Sequence, residues 1–555
     1  STATDYSIPL SNGLHAVFRD TFDIRKFGIV NSEVLDQTEY LRRMVSYADD
    51  RVYEIDFHNF SIKTPLIQHY AKSTATVRGM LFKNLHKLKN LKIHNDKETT
   101  ILSGTVQILF TPVEDLAGRF ELDNVVFDPY VSSEEDPAIG AYDGMMCGFV
   151  AEYHPDYYVN TGRTWIQAYR IKSQIDFVFS NINFKTPANT YNIATSGIFA
   201  NSITSNNLTG EHIGLYMFPD AFKFHAQNVV SVYRDDLKKK TLVTTLFQFE
   251  PEYWGNTGLV EWDEINLDNI KCTRYSDGAS WGVFKYQRVQ DGVKLNKLIL
   301  NNVQGDVQAY TGAEYPAESY SQSVFSEIIV SNCRKENGFY FDLGVKTPSI
   351  KIVDSAVGGN SEWVSRWSYQ SIQNVEIFKS DIHDFQYLGN SIVNLKTDDC
   401  NFYGDGLGHG EIVKQHHTNI KTRSGRFFNG SSLEVDIDGL QVLDTNVVVS
   451  EFLNFLNSTN CPTTTVNLER VVCLRDQEPN LISKVGTHTV NAAIRHSTFK
   501  RRPWLNVTTL DYTDNSPKYG ASKTYAPATI PANSQVTTTL TINNAYAVSV
   551  GDQFS

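Results

Sequence analysis

The chain has 555 residues, 41% of them hydrophobic and 20% charged, with a formal net charge of −12. That charge argues against a nucleic-acid backbone as partner, because phosphate binding needs clustered Lys and Arg. No apolar run is long enough to span a bilayer, so membrane insertion is not expected.

In chain order, the first residues, STATDYSIPL, show neither Met nor a signal-peptide pattern, and the expectation is that a further segment precedes them. VLDQTEYLRRMVSYADD (34–50) places Leu35, Tyr40, Leu41, Met44 and Val45 largely along one side and predicts an amphipathic helix. A helix before a repeat array is suited to cover its open end.

The body of the chain reads as a repeat. With Asn302 of KLNKLILNNVQGD as position zero, matching corners fall at Asn124, Asn181, Asn228, Asn269, Asn332, Ser355, Ser380, Asp399, Gly439, Arg470 and His496. Two places before zero stand apolar residues such as Leu122, Phe179, Leu267, Leu300 and Val330, with Thr397 the exception. One place after zero stand Val125, Ile182, Val229, Ile270 and Val303, with Asp381 and Ser497 the exceptions. The interval from Asp399 to Gly439 predicts one further coil near NIKTRSGRFF. Period-two alternation within each repeat, as in LEVDIDGLQVLD, favours strands over helices. Asn, Ser, Asp and Gly suit tight corners because they tolerate left-handed backbone angles. The fold expected is all-β, a parallel β-helix over 51–500, following an N-terminal segment and capping helix at 1–50.

Six Cys without paired spacing read as free, mostly buried thiols. From about Lys500 the coil pattern stops. NSPKYGASKTYAPATIPANS (515–534) is a connector, and VTTTLTINNAYAVSV is a short alternating segment, so 501–555 is a separate C-terminal β-rich part.

FDIRKFG (22–28), followed by a helix and a strand, resembles the opening of the pectate-lyase-like right-handed β-helix superfamily. The Asp-rich GDG continuation of that opening is replaced here by IVNSEVLDQ. Together with the irregular β-helix, the connector and the tail TTTLTINNAYAVSVGDQFS, the arrangement is similar to bacteriophage tailspike depolymerases. The resemblance implies a right-handed helix, a homotrimer aided by the tail segment, and attachment to a phage particle through a preceding N-terminal domain. It also implies a virion-tail protein acting extracellularly on a bacterial capsular or O-antigen polysaccharide.

Hydrolysis of a sugar chain needs two carboxylates flanking one glycosidic bond, about 5–5.5 Å apart for retention and roughly 6.5–9.5 Å for inversion. Outward residues of successive coils stand about 4.8 Å apart, so such pairs are sought across coils. Between Asn302 and Asp399 the candidate acids are Glu314, Glu318, Asp342, Glu362 and Asp384. Tyr315, Tyr340, Trp363, Arg366, Trp367 and His383 are the candidate sugar contacts, rings for stacking and Arg for clamping a carboxylate. No cofactor is implied. GDGLGHGEIVKQHH offers Asp405, His409, Glu411, His416 and His417, but adjacent His on a strand point to opposite faces, so no metal site is expected. Two alternatives stand beside hydrolysis. One is a lyase using Arg366 with Tyr340 or His383 at a uronic acid; the other is a glycan-binding β-helix without catalysis.

Overall fold

The structure is a computed structural model that describes the strands 8–9 and 15–16 and most of 22–514. Outside the described residues lie 64–66, 69–79, 95–104, 129–145, 186–190, 196, 211–219, 234, 236–244, 250–259, 287–292, 310–323, 344–345, 358–371, 386–390, 424–425, 444–450, 475–478, 501–502 and 515–555. The chain divides into two compact units, Ser1–Val324 and Phe325–Ser555, and each is a stack of parallel β-coils.

In the first unit, FDIRKFG forms the short 3-10 turn Ile24–Phe27. The Asp23 carboxylate caps it by accepting from the Arg25 N–H at 2.9 Å, and Gly28 ends it at φ 86°. A Cβ at Gly28 would stand 3.0 Å from the Tyr40 ring, so the motif lets the chain pass tightly against the following helix. That helix runs Thr38–Ala48 and buries Leu41, Met44, Val45 and Ala48. Two residues expected on its apolar side are not there: Leu35 belongs to the strand Ser32–Asp36 and is exposed, and Tyr40 is exposed too.

One long parallel sheet then takes one strand from each coil: Glu54–Lys63, Lys87–His94, Ala117–Phe127, Gln174–Phe184, Ala200–Gly210, Ala221–Tyr233, Val260–Arg274 and Val293–Ala309. A second parallel sheet joins Thr105–Phe110, Met146–Ala151 and Tyr191–Thr195. Between the sheets lies an aromatic core in which Phe110 packs on Phe120 at 4.8 Å and Phe120 on Phe149 at 5.4 Å.

Left-handed residues sit at a corner in every coil. Asn59, Asn90, Asn124, Asn181, Asn207, Asn228, Asn269 and Asn302 all have φ between 50° and 60°. Their amides link coil to coil: Asn124 donates to Asn90 at 2.8 Å, Asn207 to Asn181 at 2.7 Å, and Asn269 to Asn228 at 2.7 Å. Asn207 reveals a coil concealed in the interval between Asn181 and Asn228.

The second unit has a long parallel sheet of its own coils through Ser349–Val353, Ile372–Phe378, Ile392–Asp398, Asn401–Thr418, Glu434–Asp438, Thr463–Glu469, Thr489–Phe499 and Thr509–Asp514. Asn419 has φ 51° and supplies the expected extra corner between Asp399 and Gly439. At two coils the corner lies one residue before the expected Ser355 and Ser380, on Asp354 and Lys379, both at φ 48°. The two serines are instead turned inward and buried. Ser355 Oγ accepts from the Cys333 N–H at 3.2 Å, and Ser380 Oγ accepts from the Ser355 N–H at 3.1 Å. They fill the inward column one place after the corner, so Asp381 does not break that column; it stands outward, beside Asn401.

Thr397, the exception in the other inward column, also has its explanation in the next coil. Its register partner His417 is fully buried, and the Thr397 hydroxyl meets His417 Nδ1 at 2.8 Å. His417 Nε2 meets the buried Gln415 Oε1 at 3.2 Å. A neutral imidazole, accepting at one nitrogen and donating at the other, satisfies both contacts. Burial holds its pKa down at about 3. His416, by contrast, points outward. Cys272, Cys333, Cys400, Cys461 and Cys473 are free and buried, as their spacing predicts.

Candidate functional site

Few of the sequence-predicted site residues can be placed in full. Glu314, Tyr315 and Glu318 fall in 310–323, and Glu362, Trp363, Arg366 and Trp367 fall in 358–371, both outside the described residues. Asp342 lies on the strand Phe339–Leu343 and Asp384 on Asp381–Phe385, their side chains outside the described residues. Tyr340 is half-buried between Phe339 and Phe341, which are turned into the core. His383 is half-buried on an outward face, and it is the predicted residue around which a surface can be built.

That surface belongs to the second parallel sheet of the second unit. Its register aligns Ile382 with Phe402 and Thr422, all buried, which forces their neighbours His383 and Tyr403 outward on successive coils. The two rings stack face to face, centroids 4.5 Å apart and planes 8° from parallel. Arg423 occupies the equivalent place in the next coil, its N–H donating to Phe402 O at 3.0 Å and its guanidinium 5.9 Å from the Tyr403 ring. A cation near an aromatic face adds electrostatic attraction to the stack. Leu443 and Leu474 prolong the same file over the next two coils and are exposed.

A parallel file two residues nearer the corner carries Asp381, Asn401, Lys421, Gln441 and Val472. Asn401 donates to the Asp381 carboxylate at 2.7 Å, and Arg334 approaches it at 3.6 Å. The two files therefore run along the stacking direction. One is made of rings, a guanidinium and apolar side chains; the other is made of hydrogen-bonding groups from Asp381 to Gln441 and ends on Val472.

Tyr403 and Arg423 lie beyond the stretch Asn302–Asp399 in which acids and rings concentrate in the sequence. The signal that finds them is the corner itself: each stands four residues after its left-handed residue, Asp399 and Asn419, as His383 does after Lys379.

Other clusters of rings and acids resolve into packing. Tyr153 and Tyr157 stack at 3.8 Å, and Asp115 accepts from both Tyr157 and Arg163, tying the helix Pro155–Thr161 to its coil. Glu411 accepts from Ser458 at 2.9 Å and from Asn460 at 3.3 Å. Among the described residues no group of three or more His, Cys, Asp or Glu is placed to hold a metal ion, and no helix is long and apolar enough to cross a membrane.

No protein-family profile and no curated protein sequence matches the chain. Among solved structures it is similar to PfbA, a surface adhesin of Streptococcus pneumoniae, at a TM-score of 0.33 and 10% identity over 76% of this chain and 92% of that one. A likeness at that TM-score carries no argument, and the functional reading rests on the chain's own residues.

Proposed function

We propose that this chain binds and depolymerises a bacterial surface polysaccharide, capsular or O-antigen, in the manner of a phage tailspike acting outside the cell. The observation that carries this reading is the file of His383, Tyr403 and Arg423. It presents ring edges with their polar groups and a cation at one-coil intervals along a rigid support, which suits a repeating polymer lying lengthwise. A single small molecule would call for a concave pocket instead. The helix Thr38–Ala48 acts in this reading as the cap of the coil stack, and the chain assembles as a homotrimer.

Cleavage is taken as hydrolysis by paired carboxylates, for which Asp342, Glu362, Glu314, Glu318 and Asp384 are the candidates by sequence. A β-elimination is the second reading. The observation in its favour is that His383 and Tyr403, possible proton acceptors, share one file with Arg423, which would neutralise a uronate carboxyl. Incubation of the chain with purified capsular and O-antigen polysaccharides tests both. Hydrolysis yields shortened chains with new reducing ends; elimination yields the same shortening with an ultraviolet-absorbing unsaturated uronic end. Shortening of none of the glycans tested, together with no binding, contradicts the proposal.

A further inference from the structure

Lys421 and Arg423, in the second unit, stand on either side of Thr422 at the strand Lys421–Thr422. Thr422 is buried in register with Phe402, so both cations are turned outward, and both are exposed. Residues two apart on a strand are about 7 Å apart, close enough for one group with two or more oxygens to meet both of these long side chains.

Their neighbours along the stack are neutral. Asn401 precedes Lys421 and Gln441 follows it; Tyr403 precedes Arg423 and Leu443 follows it. The next carboxylate in these files, Asp381, is two coils away, about 10 Å, and is engaged by Asn401 and Arg334. The other described arginines of this unit, Arg334, Arg426, Arg470 and Arg495, each face a carboxylate. Arg423 faces the Tyr403 ring instead, and Lys421 is flanked by two amides, with no ion pair to a described residue.

Two uncompensated cations side by side repel each other, and nothing in the packing of the coil requires them. They stand on a chain of net charge −12, whose long-range field repels anions, so an anionic polymer needs a local positive site to be held. An anion set between the two removes their repulsion and gains charge-assisted hydrogen bonds from both. The exposed amide of Gln441 lies beside them to serve sugar hydroxyls.

We propose that the polysaccharide bound along this file is acidic, and that Lys421 and Arg423 together hold its anionic group, an inference that rests on the glycan-binding reading above. The group is a carboxylate or a phosphate. Arg423 meets it with two N–H donors of its planar fork, and Lys421 supplies the second positive charge. The pair serves binding and not bond cleavage, so it holds for hydrolysis and for elimination alike.

The test is the affinity of the full chain for purified polymers of four kinds: capsular polysaccharides bearing uronic acid, the same polymers with their carboxyls reduced to alcohols, phosphodiester-bearing polymers without uronic acid, and neutral O-antigens. Wild type is compared with Lys421→Gln, Arg423→Gln, the double variant, and the control Lys414→Gln, whose lysine pairs with Glu434 on the long sheet. The expected result is binding of an acidic polymer, weakened about tenfold by either single substitution and further by both, with Lys414→Gln binding as wild type does. Added salt should weaken wild type more than the double variant. Binding lost on carboxyl reduction identifies the group as a carboxylate; binding of a phosphodiester-bearing polymer identifies it as a phosphate. If wild type binds the carboxyl-reduced or neutral polymers as tightly as the acidic ones, or the double variant binds as wild type does, the inference is overturned while the glycan-binding reading stands. If wild type binds none of the four kinds, that reading fails and this inference with it.

Discussion

The side-chain amide of Asn302 donates to the side-chain oxygen of Asn269, one coil earlier, at 3.0 Å, and both residues hold a left-handed backbone at φ 50° and 54°. One residue type thus meets two demands, a corner that most L residues adopt at a cost and a link along the stack. Replacing Asn269 separates them. Asn269→Gly keeps the backbone angle and loses the links to Asn228 and Asn302; Asn269→Ala loses both. Denaturant unfolding should show Asn269→Ala less stable than wild type by about 2 kcal/mol, and Asn269→Gly less affected. Equal losses would mean that backbone conformation does not set the cost.

Lys379 occupies the same kind of corner in the second unit at φ 48°, exposed and without the short polar side chain that eases that conformation. Lys379→Asn should raise stability by about 0.5–1 kcal/mol in the same assay. A loss would show that the lysine makes a compensating contact.

His417 predicts acid sensitivity. Its pKa is about 3 in the folded chain against 6.5 as its ordinary value, so between those limits the unfolded state binds the extra proton. Stability from this residue is present above pH 6.5 and lost as pH falls toward 3, by at most about 5 kcal/mol. The difference in unfolding free energy between wild type and His417→Leu should change with pH across 6.5 to 4, wild type losing more. A constant difference would place the acid response elsewhere.

Asp306, whose Oδ1 is sealed from solvent with no hydrogen-bond partner, predicts the opposite sign. Its folded pKa of about 6 exceeds the ordinary 3.8, so its contribution is favourable below pH 3.8 and is lost as pH rises through 6. Asp306→Asn should therefore be more stable than wild type at pH 7, by about 2 kcal/mol after allowance for its exposed oxygen, and close to it near pH 3. A variant less stable at pH 7 would contradict the account of its surroundings.

Much of the fold was legible because a coil corner is a local demand. Asn124, Asn181, Asn228, Asn269, Asn302 and Asn332 declare it by residue type alone, and the apolar columns beside them follow from period-two alternation. The register slipped at Ser355 and Ser380 because a buried serine and a corner serine look alike in sequence. Only the structure shows their hydroxyls serving backbone N–H groups from inside. Thr397 and His417 were legible separately as oddities but not as a pair, since their contact depends on coil alignment. The candidate site was less legible still. His383 was singled out, while its stacking partner Tyr403 and the guanidinium of Arg423 lie past Asp399 and join it only through the alignment of successive coils. Asp306 ends the very stretch used to find the repeat, yet its isolation comes from the kink at Gly305 and the neighbouring coil, which no local pattern records.

The central claim is that the chain binds and cleaves a surface polysaccharide using the outward file on its second unit. Its most direct measurement is binding and shortening of purified capsular and O-antigen polysaccharides by wild type and by Tyr403→Ala, which removes the ring between His383 and Arg423. The account predicts that wild type shortens at least one of these glycans and that Tyr403→Ala binds it about tenfold more weakly with its fold intact. Wild type that binds and shortens none of them, or Tyr403→Ala that binds and cleaves as wild type does, would contradict it.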